Sequence, residues 1–218
     1  REALKASCRA AGMTGAEEAS MFHPWGGGMR ELCERGCLCG VVSEEKAFRL
    51  CPPFVPMAQE DARLEQLRRY FGSFGPASVK DAAYFFGTTQ TAVKRLLPQL
   101  PLRCNPCGDE TLYWLESERE PAAGQALPDC LFLAGFDPLM LGYEKKQNIF
   151  LPQTYLRGIF SLSGIVMPPV LLHGAVTGRW KRSGKRLQIT MFRPFTPEER
   201  RSAEQAAERI WGDAVKLV

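Results

Sequence analysis

The chain has 218 residues, 45% of them hydrophobic, and carries 28 lysines and arginines against 24 aspartates and glutamates, a net charge of +4. That is enough apolar material for one large domain or two to three small ones. It contains no run of about 18 apolar residues that would span a membrane and no basic-then-apolar secretory segment. Eight cysteines in such a chain fit a reducing cytoplasm. It opens on Arg1 rather than Met, and the expectation is a fragment or a processed form.

The first element, "REALKASCRAAG" (1–12), reads as a helix with Leu4, Cys8 and Ala11 on one face. Thr14-x-x-Glu17 has the spacing of a capping box and opens a short second helix ending near Phe22. After the turn "HPWGGG" a third helix follows, "MRELCERG" (29–36), then a strand, the polar turn "SEEK" and a second strand, "AFRLC".

Sixty-four positions later the same phrase returns. "DARLEQLRRYFGSF" (61–74) places Leu64, Leu67 and Phe71 at helical spacing, and Ser78-x-x-Asp81 repeats the capping box with Asp where Glu or Gln is usual. "TQTAVKRLLPQL" (89–100) is the third helix, with Val93, Leu96, Leu97 and Leu100 inward. "PLRC" and "TLYWL" are the two strands around the turn "NPCGDE". Three short helices and a β-hairpin, used twice, is the plan of tandem winged helix-turn-helix units. In such a unit the third helix suits the major groove of DNA. The second copy offers Gln90, Thr91, Lys94 and Arg95 on or near its outward face, donors for phosphates and bases. The first copy offers Arg30, Glu31, Glu34 and Arg35, whose acids would repel phosphate, so packing is its expected role. The second wing holds two acids and no base, which weighs against a repressor that grips DNA by its wing.

"ESEREPAAGQALPD" (116–129) is polar and reads as a linker. The boundaries expected are 1–58 and 59–118 for the two units, 119–129 for the linker and 130–218 for a C-terminal module. Beyond the linker, "CLFLAGF" is a strand and "PQTYLRGIFSLSG" (152–164) a helix. Three strands, 165–174, 175–184 and 185–192, form an antiparallel meander with turns at His173-Gly174 and Ser183-Gly184. A closing helix starts at Thr196 with Glu199 at the box position and Pro197 in the first turn, its apolar face made by Ala203, Ala207, Ile210 and Trp211. The fold class expected is α+β, with the C-terminal module a strongly curved, β-barrel-like antiparallel sheet with helices.

Charge is concentrated in this module. Between Lys145 and Pro197 there are nine Lys or Arg and no Asp or Glu, which suggests an anionic partner. Arg179, Lys181, Arg182, Lys185 and Arg186 flank one tight turn. Alternation puts Arg179 and Lys181 on one strand face and Val176, Gly178 and Trp180 on the other. Such a tip can lie along a phosphate backbone of double-stranded DNA or enter a groove. Equally, it can be a solvated turn whose charges keep an edge from aggregating.

The cysteines show one C-x-x-C, Cys104-Asn105-Pro106-Cys107, a cluster at 33, 37, 39 and 51, and only two histidines, at 23 and 173. A zinc site needs a second pair at set spacing, so these read as ordinary thiols. No metal and no cofactor are expected.

"LAGFDPLMLGY" (133–143) followed by "GIVMPPVLLHGAVTGRW" (164–180) resembles the C-terminal part of the AlkZ/YcaQ-type family, tandem winged-helix proteins related to DNA glycosylases that unhook interstrand crosslinks. The likeness covers roughly residues 60–195 well and 1–59 more loosely. It implies tandem winged helices joined to a β-barrel-like domain around a channel for duplex DNA. Active members of that family carry a Gln-aliphatic-Gln or Gln-aliphatic-Asp motif nearer the N-terminus, in longer chains with a further winged helix in front. No Gln-aliphatic-Gln or Gln-aliphatic-Asp string occurs here, and no residue of this chain is a catalytic candidate. The family's Arg-Asp-Arg after Gly142-Tyr143 is replaced by Glu144-Lys145-Lys146. Asp137, next to Pro138, has a catalytic reading and a structural one as a turn initiator, the latter favoured. The reading is thus a DNA-binding fragment of a glycosylase-like protein. The alternatives are a winged-helix transcription regulator without enzymatic activity and a protein-interaction scaffold.

Overall fold

The computed structural model describes residues 1–42, 47–116, 128–212 and 216–217. Two compact units divide the chain, Arg1–Met57 and Ala58–Val218. The turn at 43–46 lies outside the described residues, as does the expected linker (119–129) up to residue 127.

The first unit runs α1 (Glu2–Ala10), α2 (Gly15–Met21), α3 (Gly27–Glu34) and an antiparallel ribbon of β1 (Leu38–Val41) and β2 (Ala47–Leu50). The capping box is in place: the Glu17 amide donates to Thr14 Oγ1 at 3.3 Å and the Thr14 amide to Glu17 Oε2 at 2.8 Å. Among its described residues only Phe22 and Met29 are fully buried. Of the expected α1 face, Cys8 is half-buried while Leu4 and Ala11 are exposed.

The second unit begins with the same motif, built deeper. It comprises α4 (Gln59–Phe74), β3 (Ala77–Ser78), α5 (Val79–Phe86), α6 (Gln90–Leu96), β4 (Leu102–Cys107) and β5 (Glu110–Leu115). Each element of the ribbon and each box lies 64 residues beyond its counterpart to within one or two positions. Leu67, Tyr70, Phe71, Ala82, Val93 and Leu96 make the core. Two details differ from expectation. Helix α6 stops at Leu96 and tightens into a 3₁₀ turn over Leu97–Gln99, because Pro98 has no N–H to continue the ladder. The ribbon is also longer than the sequence suggested. Its strands stay paired from Leu102↔Leu115 to Cys107↔Glu110, leaving only Gly108 and Asp109 as the turn. Gly108 supplies the left-handed φ of 59° that a two-residue turn needs. Pro106 is tolerated within β4 because this is the edge strand, in the order β3-β5-β4.

The string that carried the family resemblance joins this motif to the C-terminal module. Tyr70 Oη donates to the Gly142 carbonyl at 2.7 Å, and Tyr143 Oη to the Phe74 carbonyl at 2.8 Å. Gly142 is bare for a packing reason: a Cβ there would sit 2.3 Å from the Phe74 ring. Asp81 completes the seam. One carboxylate oxygen caps α5 through the Ser78 amide at 2.9 Å, and the other accepts the Glu144 amide at 2.8 Å. Burial pushes the Tyr70 and Tyr143 hydroxyls up in pKa, aided by the Asp81 charge, so both stay protonated donors.

The module contains β6 (Cys130–Phe132), α7 (Pro138–Leu141), a 3₁₀ turn at Gln153–Tyr155 running into α8 (Leu156–Ile159), β7 (Pro169–Leu172), β8 (Ala175–Ser183), β9 (Arg186–Met191), α9 (Pro197–Trp211) and β10 (Lys216–Leu217). The helix expected over 152–164 is thus only the short Gln153–Ile159 stretch, and the strands expected at 130–136 and 165–174 shrink to β6 and β7. The sheet order is β10-β9-β8-β7-β6, antiparallel except for the β10–β9 pair. It is an open sheet, not a closed barrel. Its edge strands are two and three residues long and β6 is packed against α9, so the edges are protected without closure.

The sheet has a core on each side. Leu171 and Val176 pack with Met140, Leu151, Ile159 and Val166; Val170, Leu172 and Trp180 pack with Cys130 and with Ala203 and Ala206 of α9. Simple alternation puts Val176 and Trp180 on the same face, yet they belong to different cores. The cause is a β-bulge: Leu171 pairs with Val176 but Val170 with Gly178, which leaves Thr177 as an extra residue on β8. Helix α9 starts with the expected box, the Glu199 amide donating to Thr196 Oγ1 at 3.1 Å. Its inward face is Ala203, Ala206 and Ala207; Ile210, expected inward, is exposed.

Candidate nucleic-acid interface

The β8–β9 hairpin is paired to its tip, where Ser183 faces Arg186 and Gly184 and Lys185 make the turn. Cross-strand partners share a face. Arg179↔Thr190, Lys181↔Gln188 and Ser183↔Arg186 therefore line one face, entirely polar, with Arg179, Lys181 and Arg186 as its cations. Near the sheet centre α8 covers this face, and the Arg179 guanidinium reaches the Gly158 carbonyl at 3.4 Å. Past α8 nothing described covers Lys181, Arg186 or Gln188, all of which are exposed. Arg157, adjacent to Gly158 in α8, is exposed too and was not singled out from the sequence.

The opposite face is apolar. Trp180 donates its indole N–H to the Leu133 carbonyl at 2.7 Å and packs edge-on against Phe132 and tilted against Trp211. Arg182 belongs to this side: its guanidinium lies over the Trp211 ring, 5.9 Å from the centroid, and bonds the Gly184 carbonyl at 3.0 Å. Of the five cations expected to act together, three share a face, Lys185 sits at the turn and Arg182 is turned away. Among the described residues none of the five is ion-paired to a carboxylate, whereas Arg193 beside them is fully engaged, with Nη1 2.8 Å from Glu199. That pairing, the first cause, together with the Thr196 amide holds the Glu199 carboxyl at about 2.

The second candidate surface is α6. Gln90, Thr91, Lys94 and Arg95 are all exposed, as the helical period required, and Thr89 caps the helix through the Ala92 amide at 3.2 Å. Its charge is mixed. Arg95 is paired with Glu60 at 2.8 Å. Lys94, Gln90 and Lys80 line a groove together with Asp109 of the ribbon turn and Glu110 at the start of β5. No hydrogen bond or ion pair among the described residues joins α6 to the β8–β9 hairpin.

The other candidates resolve into structure. Asp137 is the N-cap of α7, accepting the Leu139 amide at 2.9 Å. Cys104 and Cys107 lie three apart on the extended strand β4 and point to opposite faces, so they cannot chelate one ion. No group of three or more His, Cys, Asp or Glu among the described residues is arranged to hold a metal. The single Gln-x-Asp string, Gln59-Glu60-Asp61, has an acid in place of the aliphatic residue, and that Glu60 is the partner of Arg95.

A family model described as DNA glycosylase AlkZ-like matches residues 9–211. The chain belongs to the AlkZ-like family. It is 22% identical over 210 residues to an interstrand DNA cross-link repair glycosylase of Streptomyces sahachiroi, covering 88% of this chain and 54% of that protein. The solved structure of Streptomyces sahachiroi DNA glycosylase AlkZ superposes with a TM-score of 0.74 at 21% identity, covering 100% of this chain and 63% of the other. The AlkZ-like chain thus spans about half the length of the curated relative it matches. Among its described residues no helix is long and apolar enough to cross a membrane.

Proposed function

We propose that this AlkZ-like chain is a DNA-holding part of a glycosylase-like repair protein, in which tandem winged helices and the β8–β9 face grip double-stranded DNA in the cytoplasm. The observation that carries the reading is the polar face of Arg179, Lys181 and Arg186, uncovered beyond α8 and without carboxylate partners among the described residues. A flat row of cations and amides is suited to successive phosphates and carries no base code. Family membership supplies the substrate class. The α6 surface, with Arg95 paired and two acids beside Lys94, supports that grip in a lesser role.

Base release requires a group that positions water at the anomeric carbon of an extruded nucleotide, and the Gln-aliphatic-Gln or Gln-aliphatic-Asp string of active family members does not occur in these 218 residues. The chain alone is expected to bind duplex without releasing a base; a measured release of a damaged base by these 218 residues would overturn the purely DNA-holding assignment. A labelled duplex titrated at several salt concentrations tests the grip. Replacing Arg179, Lys181 and Arg186 together with Ala should flatten the log-log salt dependence by about 0.9 for each phosphate that is no longer neutralised. Arg182→Ala, which removes a cation from the other face, should change it least. An unchanged slope in the triple variant places the DNA elsewhere. The exposed Gln90 and Thr91 on α6 favour a second reading, a transcription regulator, which a two-fold symmetric footprint and a dimer in solution would support.

A further inference from the structure

The unit Arg1–Met57 gathers sulfur. Cys33 lies on α3, Cys39 on β1, and Cys37 and Cys51 at the paired open end of the ribbon, where the Cys51 amide donates to the Cys37 carbonyl at 3.0 Å. The register sets Cys39 directly opposite Arg49. Residues two apart on a strand share a face, as do cross-strand partners, so Cys39, Arg49 and Cys51 occupy one face of the ribbon. There Arg49 Nε donates to Cys39 Sγ at 3.1 Å. Cys39 and Cys51 are diagonal neighbours on that face, each near enough to influence the other's ionisation, and Cys33 acts on Cys51 in the same way. Both sulfurs of the pair are half-buried free thiols.

The two thiols are made unequal by their surroundings. The Arg49 hydrogen bond, the leading cause, lowers the Cys39 thiol below its ordinary range. Burial first, then the neighbouring Cys39, raises Cys51. A thiol whose ionisation a guanidinium favours, beside one whose ionisation is disfavoured, is the arrangement of an attacking and a resolving cysteine.

We propose that Cys39 and Cys51 form a hydroperoxide-responsive dithiol, with Cys39 as the attacking thiolate, Cys51 as the resolving thiol and Arg49 as the residue that holds the thiolate. In the first step the Cys39 sulfur attacks a peroxide oxygen. An S–O bond forms, the O–O bond breaks, the sulfur becomes a sulfenic acid and the departing oxygen takes a proton. In the second, Cys51 loses its proton and attacks the Cys39 sulfur; an S–S bond forms, the S–O bond breaks, and hydroxide leaves with that proton as water. Two thiols and one hydroperoxide give one disulfide, one water and one alcohol or second water. A dithiol reductant reverses it. This inference is independent of DNA binding.

The test uses the whole 218-residue chain, reduced and then exposed to stoichiometric hydrogen peroxide, with disulfide mapping by peptide mass. A Cys39–Cys51 linkage that dithiothreitol removes is the expected result. Cys51→Ser should leave a sulfenic acid at Cys39 that dimedone traps. Arg49 is exposed, so Arg49→Gln should fold normally and slow iodoacetamide alkylation of Cys39 near neutral pH by on the order of tenfold. The exposed Cys104 and Cys107 serve as internal references. If Cys39 is alkylated no faster than they are, if Arg49→Gln leaves its rate unchanged, or if the disulfide joins a different pair, the proposal is overturned.

Discussion

The two copies of the helix-and-ribbon motif share their local code and differ in what surrounds it. Thr14 and Glu17 close a box at the surface, with Glu17 solvated; Ser78 and Asp81 close the same box inside the protein, with Asp81 buried. The shorter acid is the informative difference. Asp81 has one oxygen on its own helix and the other on the Glu144 amide, from a segment 63 residues away. In the first copy the cap stabilises a helix; in the second it also fixes a module.

The largest effect should come from separating those two roles. Asp81→Ala removes a helix cap, typically worth about 1 kcal/mol, and strands the Glu144 amide in a buried seam, which costs about 1–3 kcal/mol more. Glu17→Ala, which strands nothing, should cost only a small part of that. Urea unfolding with hydrogen exchange read separately at α2 and α5 measures both, and equal losses would erase the distinction. Next comes Gly142→Ala, where the new methyl must displace the Phe74 ring; about 1–3 kcal/mol of lost stability is expected for such overpacking. Tyr143→Phe, which unpairs the Phe74 carbonyl but keeps the packing, should cost less, roughly 1 kcal/mol by the same urea measurement. A third box, Thr196 and Glu199, is read by pH rather than by denaturant. Its carboxyl is held at about 2 against an ordinary 4.5. A carboxyl lowered in the folded state adds stability that is complete above its unfolded value and lost as pH falls. Stability should therefore decline between about pH 4.5 and pH 2, and Glu199→Gln should flatten that decline in an acid titration followed by circular dichroism.

The parts of this architecture written in local chemistry were legible in the sequence. Capping boxes are a four-residue code, and all three stand where the Thr or Ser and acid spacing put them. The β8–β9 hairpin and its cations followed from alternation around Ser183-Gly184. Whatever depended on non-local packing was not legible. Nothing near Val176 signals a bulge, which arises from matching β8 to two cores at once. Alternation gives Arg182 the face of Trp180, but its seat over the ring of Trp211, 29 positions away, required the fold. The Leu141-Gly142-Tyr143 string carried a family resemblance, but its physical work, seating against Phe74 and Tyr70, required the fold. The length of the β4–β5 ribbon was missed because Asn105 and Pro106 favour turns unless they lie on an edge strand.

The extra residue at Thr177 has a further consequence. With Thr177 bulged out, Arg179 and Lys181 keep the face of Val176 although they lie three and five residues beyond it; deleting Thr177 would restore strict two-residue periodicity and leave them there, whereas drawing it into the regular ladder would send them to the α9 side and the indole of Trp180 out to water. The phase of the entire cationic tip is thus set by one insertion, and a kindred chain lacking it points the same charge in the same direction with its first arginine two rather than three residues beyond the valine.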